Sequence, residues 1–180
     1  MNVEGTREFE ASRERVWAII SDPAGMAGLM PGVDGFEIID PTHWRAKVKV
    51  PLGLGGLKMT MDFEQLEERP LEFASMRGKG KGMGAMMDMT TSFTLSGEGD
   101  HTHMAWEADV KLAGVLASMG QRVLQPIVNQ QVQAVLTELD KQVQKAAAGG
   151  EGGAEAGIHP ASPEAYEPEP EGPTHSTEDQ

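Results

Sequence analysis

Between residues 44 and 112 the chain alternates apolar and polar side chains with a period of two, run after run. Trp44, Ala46, Val48 and Val50 alternate with Arg45, Lys47 and Lys49, and Leu57, Met59, Met61 and Phe63 alternate with Lys58, Thr60, Asp62 and Glu64. Met87, Met89, Thr91, Phe93 and Leu95 are interleaved with Asp88, Thr90, Ser92 and Thr94, and Met104, Trp106, Ala108 and Val110 with Glu107, Asp109 and Lys111. Successive side chains of a strand point to opposite faces, so each run is a strand with one apolar face. Leu71 and Phe73 mark a further strand after the turn at Glu68, Arg69 and Pro70, and a weaker one covers residues 36–39. Turn residues cluster at Asp40-Pro41 and at 53–56, 78–84 and 97–100. Such a series predicts an antiparallel meander buried on one face.

The flanking segments change period. Val3 to Ala11 reads as a first strand, and Ser12 stands where a helix N-cap belongs. Val16, Trp17, Ile19 and Ile20 follow at helical spacing until Asp22-Pro23, and Pro23 opens a second short helix over Met26, Leu29 and Met30. From Gly114 onward, Leu116, Met119, Val123, Ile127, Val132, Val135, Leu136, Leu139 and Val143 recur every three or four residues. They predict one amphipathic helix of about 30 residues, ~45 Å long, kinked at Pro126. The expected fold is α+β, a helix-grip arrangement. A seven-stranded curved antiparallel sheet lies over a long C-terminal helix, with two short helices after the first strand. One helix cannot fill the concave face of so wide a sheet, and the remaining space is a cavity suited to an apolar ligand.

Composition narrows the function. Of 28 Asp and Glu, eight fall in residues 148–180, which hold no Lys or Arg and five of the 11 prolines. This segment is expected to be a disordered acidic tail behind a ligand-binding domain of residues 1–147. A net charge of −13 argues against nucleic acid as a partner. Cysteine is absent, which excludes disulfides, thiolate metal sites and Cys nucleophiles. No secretory signal is visible and no stretch of ~18 apolar residues occurs, so the expected location is the cytoplasm.

The apolar faces supply the candidate pocket lining: Trp17, Met30, Trp44, Val48, Met59, Met61 and Phe73, then Met87, Met89, Phe93, Trp106, Met119 and Val123. Twelve methionines in 180 residues favour an adaptable, polarizable lining. Arg77, Lys79 and Lys81 alternate with glycines in a stretch that reads as a turn, where they would touch anionic headgroups or a partner, or simply be solvated. No Ser or Thr follows the lysines, so this is no phosphate-binding P-loop. His101 and His103 lack a third ligand for zinc, so no metal site is expected. The single tyrosine, Tyr166, falls in the tail, spacing suggests no nucleophilic triad, and no catalytic residue is assigned. Arg7 shares the parity of Val3 and Phe9 and is a candidate polar group at the cavity rim; Asp88 and Glu107 read as outward.

The order of elements resembles the START-like (SRPBCC) superfamily. Within it, residues 11–23 (ASRERVWAIISDP), the Met30-Pro31-Gly32 turn, residues 77–84 (RGKGKGMG) and residues 112–124 (LAGVLASMGQRVL) resemble the carbon monoxide dehydrogenase G-subunit (CoxG-like) family. The similarity covers about residues 2–145. It implies a protein without catalytic residues of its own, which brings a molybdenum hydroxylase such as carbon monoxide dehydrogenase to the inner face of the membrane. It also implies a cavity that holds a quinone or other lipid-like molecule. Some relatives end in an apolar anchoring segment, whereas this sequence ends in acidic, proline-rich residues. Two alternatives remain on the same fold: an enzyme of the polyketide cyclase or dehydratase kind, and a ligand-free assembly factor.

Overall fold

The computed structural model describes residues 1–52 and 55–149. The tail expected to be disordered from residue 148 lies outside the described residues from 150 onward, while 148 and 149 still belong to the last helix.

The chain runs β1 (Asn2–Phe9), α1 (Arg13–Ile20), α2 (Pro23–Leu29), β2 (Val33–Asp40), β3 (His43–Val50) and β4 (Leu57–Arg69). It continues with β5 (Phe73–Gly82), β6 (Ala85–Ser96), β7 (Thr102–Gly114), α3 (Val115–Ser118) and α4 (Gln121–Gly149). All seven strands form one antiparallel sheet in the order β1-β7-β6-β5-β4-β3-β2. The meander β2 to β7 is therefore sequential, and only β1 is out of sequence, closing against β7 with Val3 opposite Ala108 and Phe9 opposite Thr102. Asp22 caps α2 by accepting a 2.8 Å hydrogen bond from the Gly25 amide, and Pro23 at the first position forfeits no bond.

Two expectations are corrected. The stretch from Arg77 to Gly82 is the interior of β5, paired on both sides, and the turn is confined to Met83 and Gly84. The lysine–glycine alternation is itself a strand pattern. Arg77, Lys79 and Lys81 point to the outer face, while Gly78 and Gly80 occupy inner positions in line with Met76. Glycine there makes room for neighbours: a Cβ on Gly78 would lie 3.0 Å from the Phe63 ring, and one on Gly80 would collide with the Met61 sulfur. The C-terminal helix is also not continuous. Gly120, at φ +75°, ends α3 and starts α4, its carbonyl accepting from the Val123 and Leu124 amides. The break thus falls at glycine, and Pro126 stays inside α4.

The inner face buries three apolar clusters. One packs Phe9, Trp17, Leu95 and Met104 under Leu136, Leu139 and Val143 of α4. A second, on β3 to β5, joins Trp44, Ala46, Met61, Phe63 and Met76. The third closes the opposite end with Leu57, Met59 and Ala85 against Leu116 and Leu124.

Candidate ligand groove

The helix α4 is held at its two ends. Leu124 enters the third cluster and Leu136, Leu139 and Val143 enter the first, but residues 125–135 contribute no fully buried side chain. Val132 and Val135 pack half-buried against the first cluster, so the stretch without core contact is residues 125–131, ~10 Å at 1.5 Å per residue. The sheet shows the same profile on β6. Ala85 and Leu95 are buried at its ends, while Met87, Met89, Thr91 and Phe93 between them keep partial solvent access although they share the inner parity. Helix and sheet thus leave a groove over the middle of β6.

Its walls come from β3, β4 and α2. Trp44 lies opposite Phe63 on adjacent strands, and the two rings stack with centroids 5.6 Å apart and planes 11° from parallel. Met26, Met30, Phe36, Val48, Met87, Met89 and Phe93 pack against this pair and its neighbours. Trp106 sits beside Phe93 on β7 and covers Gly5, where a Cβ would come within 2.8 Å of the indole. Both indole N–H groups, of Trp44 and Trp106, are buried and find no acceptor among the described residues. Each such donor costs about 1–3 kcal/mol relative to a satisfied one. An oxygen on a bound molecule would satisfy either donor once the side chains covering it yield.

Polar groups are sparse there. The inner positions of β3 to β6 are apolar or glycine apart from Thr91 in the middle and, at one end, Gln65 and the exposed Glu68, which hydrogen-bond to each other. Arg7 does point to the inner side and pairs with Asp140 of α4, a clasp between the edge strand and the helix. The carboxylates with displaced pKa lie elsewhere. Asp40 is lowered to about 2 by the Thr42 amide and then by the His43 ring, in the β2–β3 turn. Asp88 is lowered by hydrogen bonds from Arg77 at 3.0 and 2.5 Å, on the outer face. Among the described residues no group of three or more His, Cys, Asp or Glu could hold a metal ion. His103 instead pairs with Glu8 across β1 and β7.

Placed against the candidate lining, Met30, Trp44, Val48, Met61, Met87, Met89 and Phe93 come together in one cluster, with Trp106 adjoining. Trp17 and Met59 sit in the clusters that close the two ends. Three candidates are elsewhere. Phe73 has outer parity because β5 turns Ala74 and Met76 inward, and the Arg69 guanidinium lies 4.7 Å over its ring. Met119 and Val123 flank the glycine break and are 36% and 49% exposed, their places under the helix taken by Leu116 and Leu124. Phe63, Met76 and Phe36 belong to the site though absent from the candidate set; Phe63 shares the period-two parity of Met61, the signal that could have found it, whereas Phe36 and Met76 are placed by strand pairing with Ala46 and Gln65.

Two open surface depressions, of 410 and 460 Å³, lie on the outer face, the first beside Lys79, Lys81 and Met86, the second beside Phe73, Ser92 and Glu107.

The family model described as the carbon monoxide dehydrogenase G-subunit (CoxG) matches residues 5–144, the whole of the sheet from Gly5 onward and most of α4. The chain belongs to the CoxG family. No curated protein matches the sequence. Solved structures similar to this CoxG-family chain share its fold at low identity. A conserved protein from Geobacillus kaustophilus superposes with a TM-score of 0.75 at 19% identity, covering 81% of this chain and 97% of its own. A START superfamily protein from Mycobacterium smegmatis gives 0.63 at 16%, covering 80% and 97%. The ZhuI aromatase/cyclase from Streptomyces sp. R1128 gives 0.62 at 16%, covering 82% and 95%. The fold is thus START-like, and the CoxG-family chain leaves its groove where the long helix crosses the sheet. Among the described residues no helix is long and apolar enough to cross a membrane.

Proposed function

We propose that this protein is a non-enzymatic carrier of an apolar small molecule with at least one hydrogen-bond acceptor. A quinone or lipid-like molecule is the class that fits. We further assign it, from the description of its family, to the service of a molybdenum hydroxylase of the carbon monoxide dehydrogenase type, as an electron-transfer or membrane-recruitment adaptor. The observation that carries the ligand reading is Trp44: a 3% exposed indole, stacked on Phe63 beside a methionine-lined groove, whose buried N–H finds no acceptor among the described residues. A flat ring extends such a stack, and a ring oxygen satisfies the donor. Methionines on three sides conform to ligands of different substitution.

An aromatase/cyclase on the same fold would need an acid or base facing the substrate. Over the groove itself, β3 to β6 offer only Thr91; the inner-face carboxylate, Glu68, lies exposed at the far end of β4 beside Gln65, which favours binding over chemistry.

Native mass spectrometry of the purified protein, with solvent extraction of anything that co-purifies, tests the reading. An isoprenoid quinone or lipid near one per chain supports it. An empty protein that takes up no added quinone sinks it and leaves the ligand-free assembly role. The adaptor role is checked separately, by whether the protein accelerates electron transfer from the dehydrogenase to a quinone.

A further inference from the structure

One end of the sheet gathers the β3–β4 connection, the β5–β6 turn and the junction from β7 through α3 to α4. Residues 47–60, 80–87 and 112–124, which build this end, hold five of the 15 Lys and Arg and no Asp or Glu; Asp34 stands at the same end on β2, and Asp62 and Asp88 lie farther in, beside Lys79. In a chain of net charge −13 this is a positive pole.

Apolar side chains protrude at the same place. Met83 is 74% exposed, Met86 57% and Val115 51%. The Val115 amide binds the Gly84 carbonyl at 3.1 Å, so the β5–β6 turn and the start of α3 form one surface. Large apolar residues scattered singly are ordinary, but a contiguous group marks a contact site. Around it stand Lys47, Lys49, Lys58 and Lys81, all exposed and none ion-paired among the described residues.

Two choices here weaken the isolated fold. Met83 has φ +50° and Gly84 φ +77°, both in the left-handed region, where Asn-Gly is the favoured hairpin pair. Lys49 lies directly opposite Lys58, and like charges in that relation destabilise a sheet. Both become favourable against a phase that is anionic at its surface and apolar just beneath. The cations nearest the apolar tip are lysines. Protein interfaces are poor in lysine and rich in arginine, whereas a lipid surface accepts lysine as a simple point charge.

We propose that this end of the molecule docks on an anionic lipid bilayer. Met83, Met86 and Val115 enter the boundary between headgroups and acyl chains, and Lys47, Lys49, Lys58 and Lys81 meet the lipid phosphates. This deepens the membrane-recruitment part of the function proposed above by giving it a surface. The surface shares no residue with the groove, so it stands or falls independently of the ligand.

The test is flotation of the full chain with vesicles of phosphatidylcholine alone or with about a third phosphatidylglycerol, at ~0.1 M and ~1 M salt. Partition is expected on the anionic vesicles alone and is lost at high salt. Lys49→Ala and Lys58→Ala should each lower it about five-fold. Met83→Asn should lower it while the thermal midpoint holds or rises, which separates lost docking from lost folding. Absence of partition on anionic vesicles overturns the proposal. So does equal partition on neutral ones, or partition unchanged in both the lysine and the Met83 variants.

Discussion

Trp44 shows how much one side chain decides. Its ring buries a large apolar area and stacks on Phe63, while its N–H is left without an acceptor among the described residues. Trp44→Phe keeps the stacking area and removes the orphan donor. The free protein should therefore lose little or gain up to ~1 kcal/mol in urea unfolding, since removing an unsatisfied group offsets the lost packing. Quinone affinity, read from quenching of the remaining tryptophans, should fall about five- to ten-fold with the lost hydrogen bond. Loss of stability with unchanged affinity would make Trp44 an ordinary core residue. Gly5 belongs to the same scale: only a residue without Cβ lets the Trp106 indole lie against β1.

At the scale of elements, β5 is the part the sequence disguises. Its glycines read as a turn because glycine usually punctuates strands. Here two of them keep the parity of Met76 and lie under methionine side chains. Gly80 and Gly82 then differ in a measurable way. A Cβ at Gly80 meets the flexible ends of Met61 and Met59, whereas one at Gly82 meets the Lys58 carbonyl. Gly80→Ala should cost ~1 kcal/mol by denaturant unfolding, and Gly82→Ala more than ~2 kcal/mol, because side chains yield and a ladder backbone does not. What is legible is what has a period. The alternation of β3, β4, β6 and β7 locates strands and core face, and Asp22-Pro23 locates α2. What is not legible depends on a single residue resetting the pattern. Leu71, at φ +66°, turns the chain so that β5 begins on the opposite parity and Phe73 faces outward. Gly120 does the same for the helix and exposes Met119 and Val123. The β2–β3 turn carries a pH dependence. Asp40 has a folded pKa of about 2, below its ordinary 3.8, because the Thr42 amide and the His43 ring stabilise the carboxylate. Its contribution is therefore fully present above about pH 4 and lost as pH falls through about 2. Asp40→Asn should unfold at lower denaturant than the parent at about pH 6, and the gap should shrink as the pH approaches about 2.

For the whole molecule, the groove follows from a mismatch of shapes. A sheet of seven strands curves more widely than one helix can cover, and α4 places its fully buried side chains only towards the ends, with Val132 and Val135 half-buried between. The methionines and tryptophans are legible as lining from their parity, but the gap itself is not, since it depends on which part of α4 the end clusters hold. Ligand in the groove should give the middle of α4 the packing it lacks. Amide hydrogen exchange at residues 125–135 should slow on quinone addition, with little change at Leu139 and Val143. Uniform slowing throughout, or none, would place the ligand elsewhere.

A rod clamped at both ends and held only lightly between them is stiff along its length and more compliant across it. For α4 that means the span over β6 can bow outward by small amounts without disturbing either anchor or the strand pairing below. Pro126, whose missing amide removes one rung near the start of the span, lowers the cost of bowing. The molecule therefore needs no hinged door. Between its anchors the helix rests on the half-buried Val132 and Val135, a lighter hold than Leu124 at one end and Leu136, Leu139 and Val143 at the other.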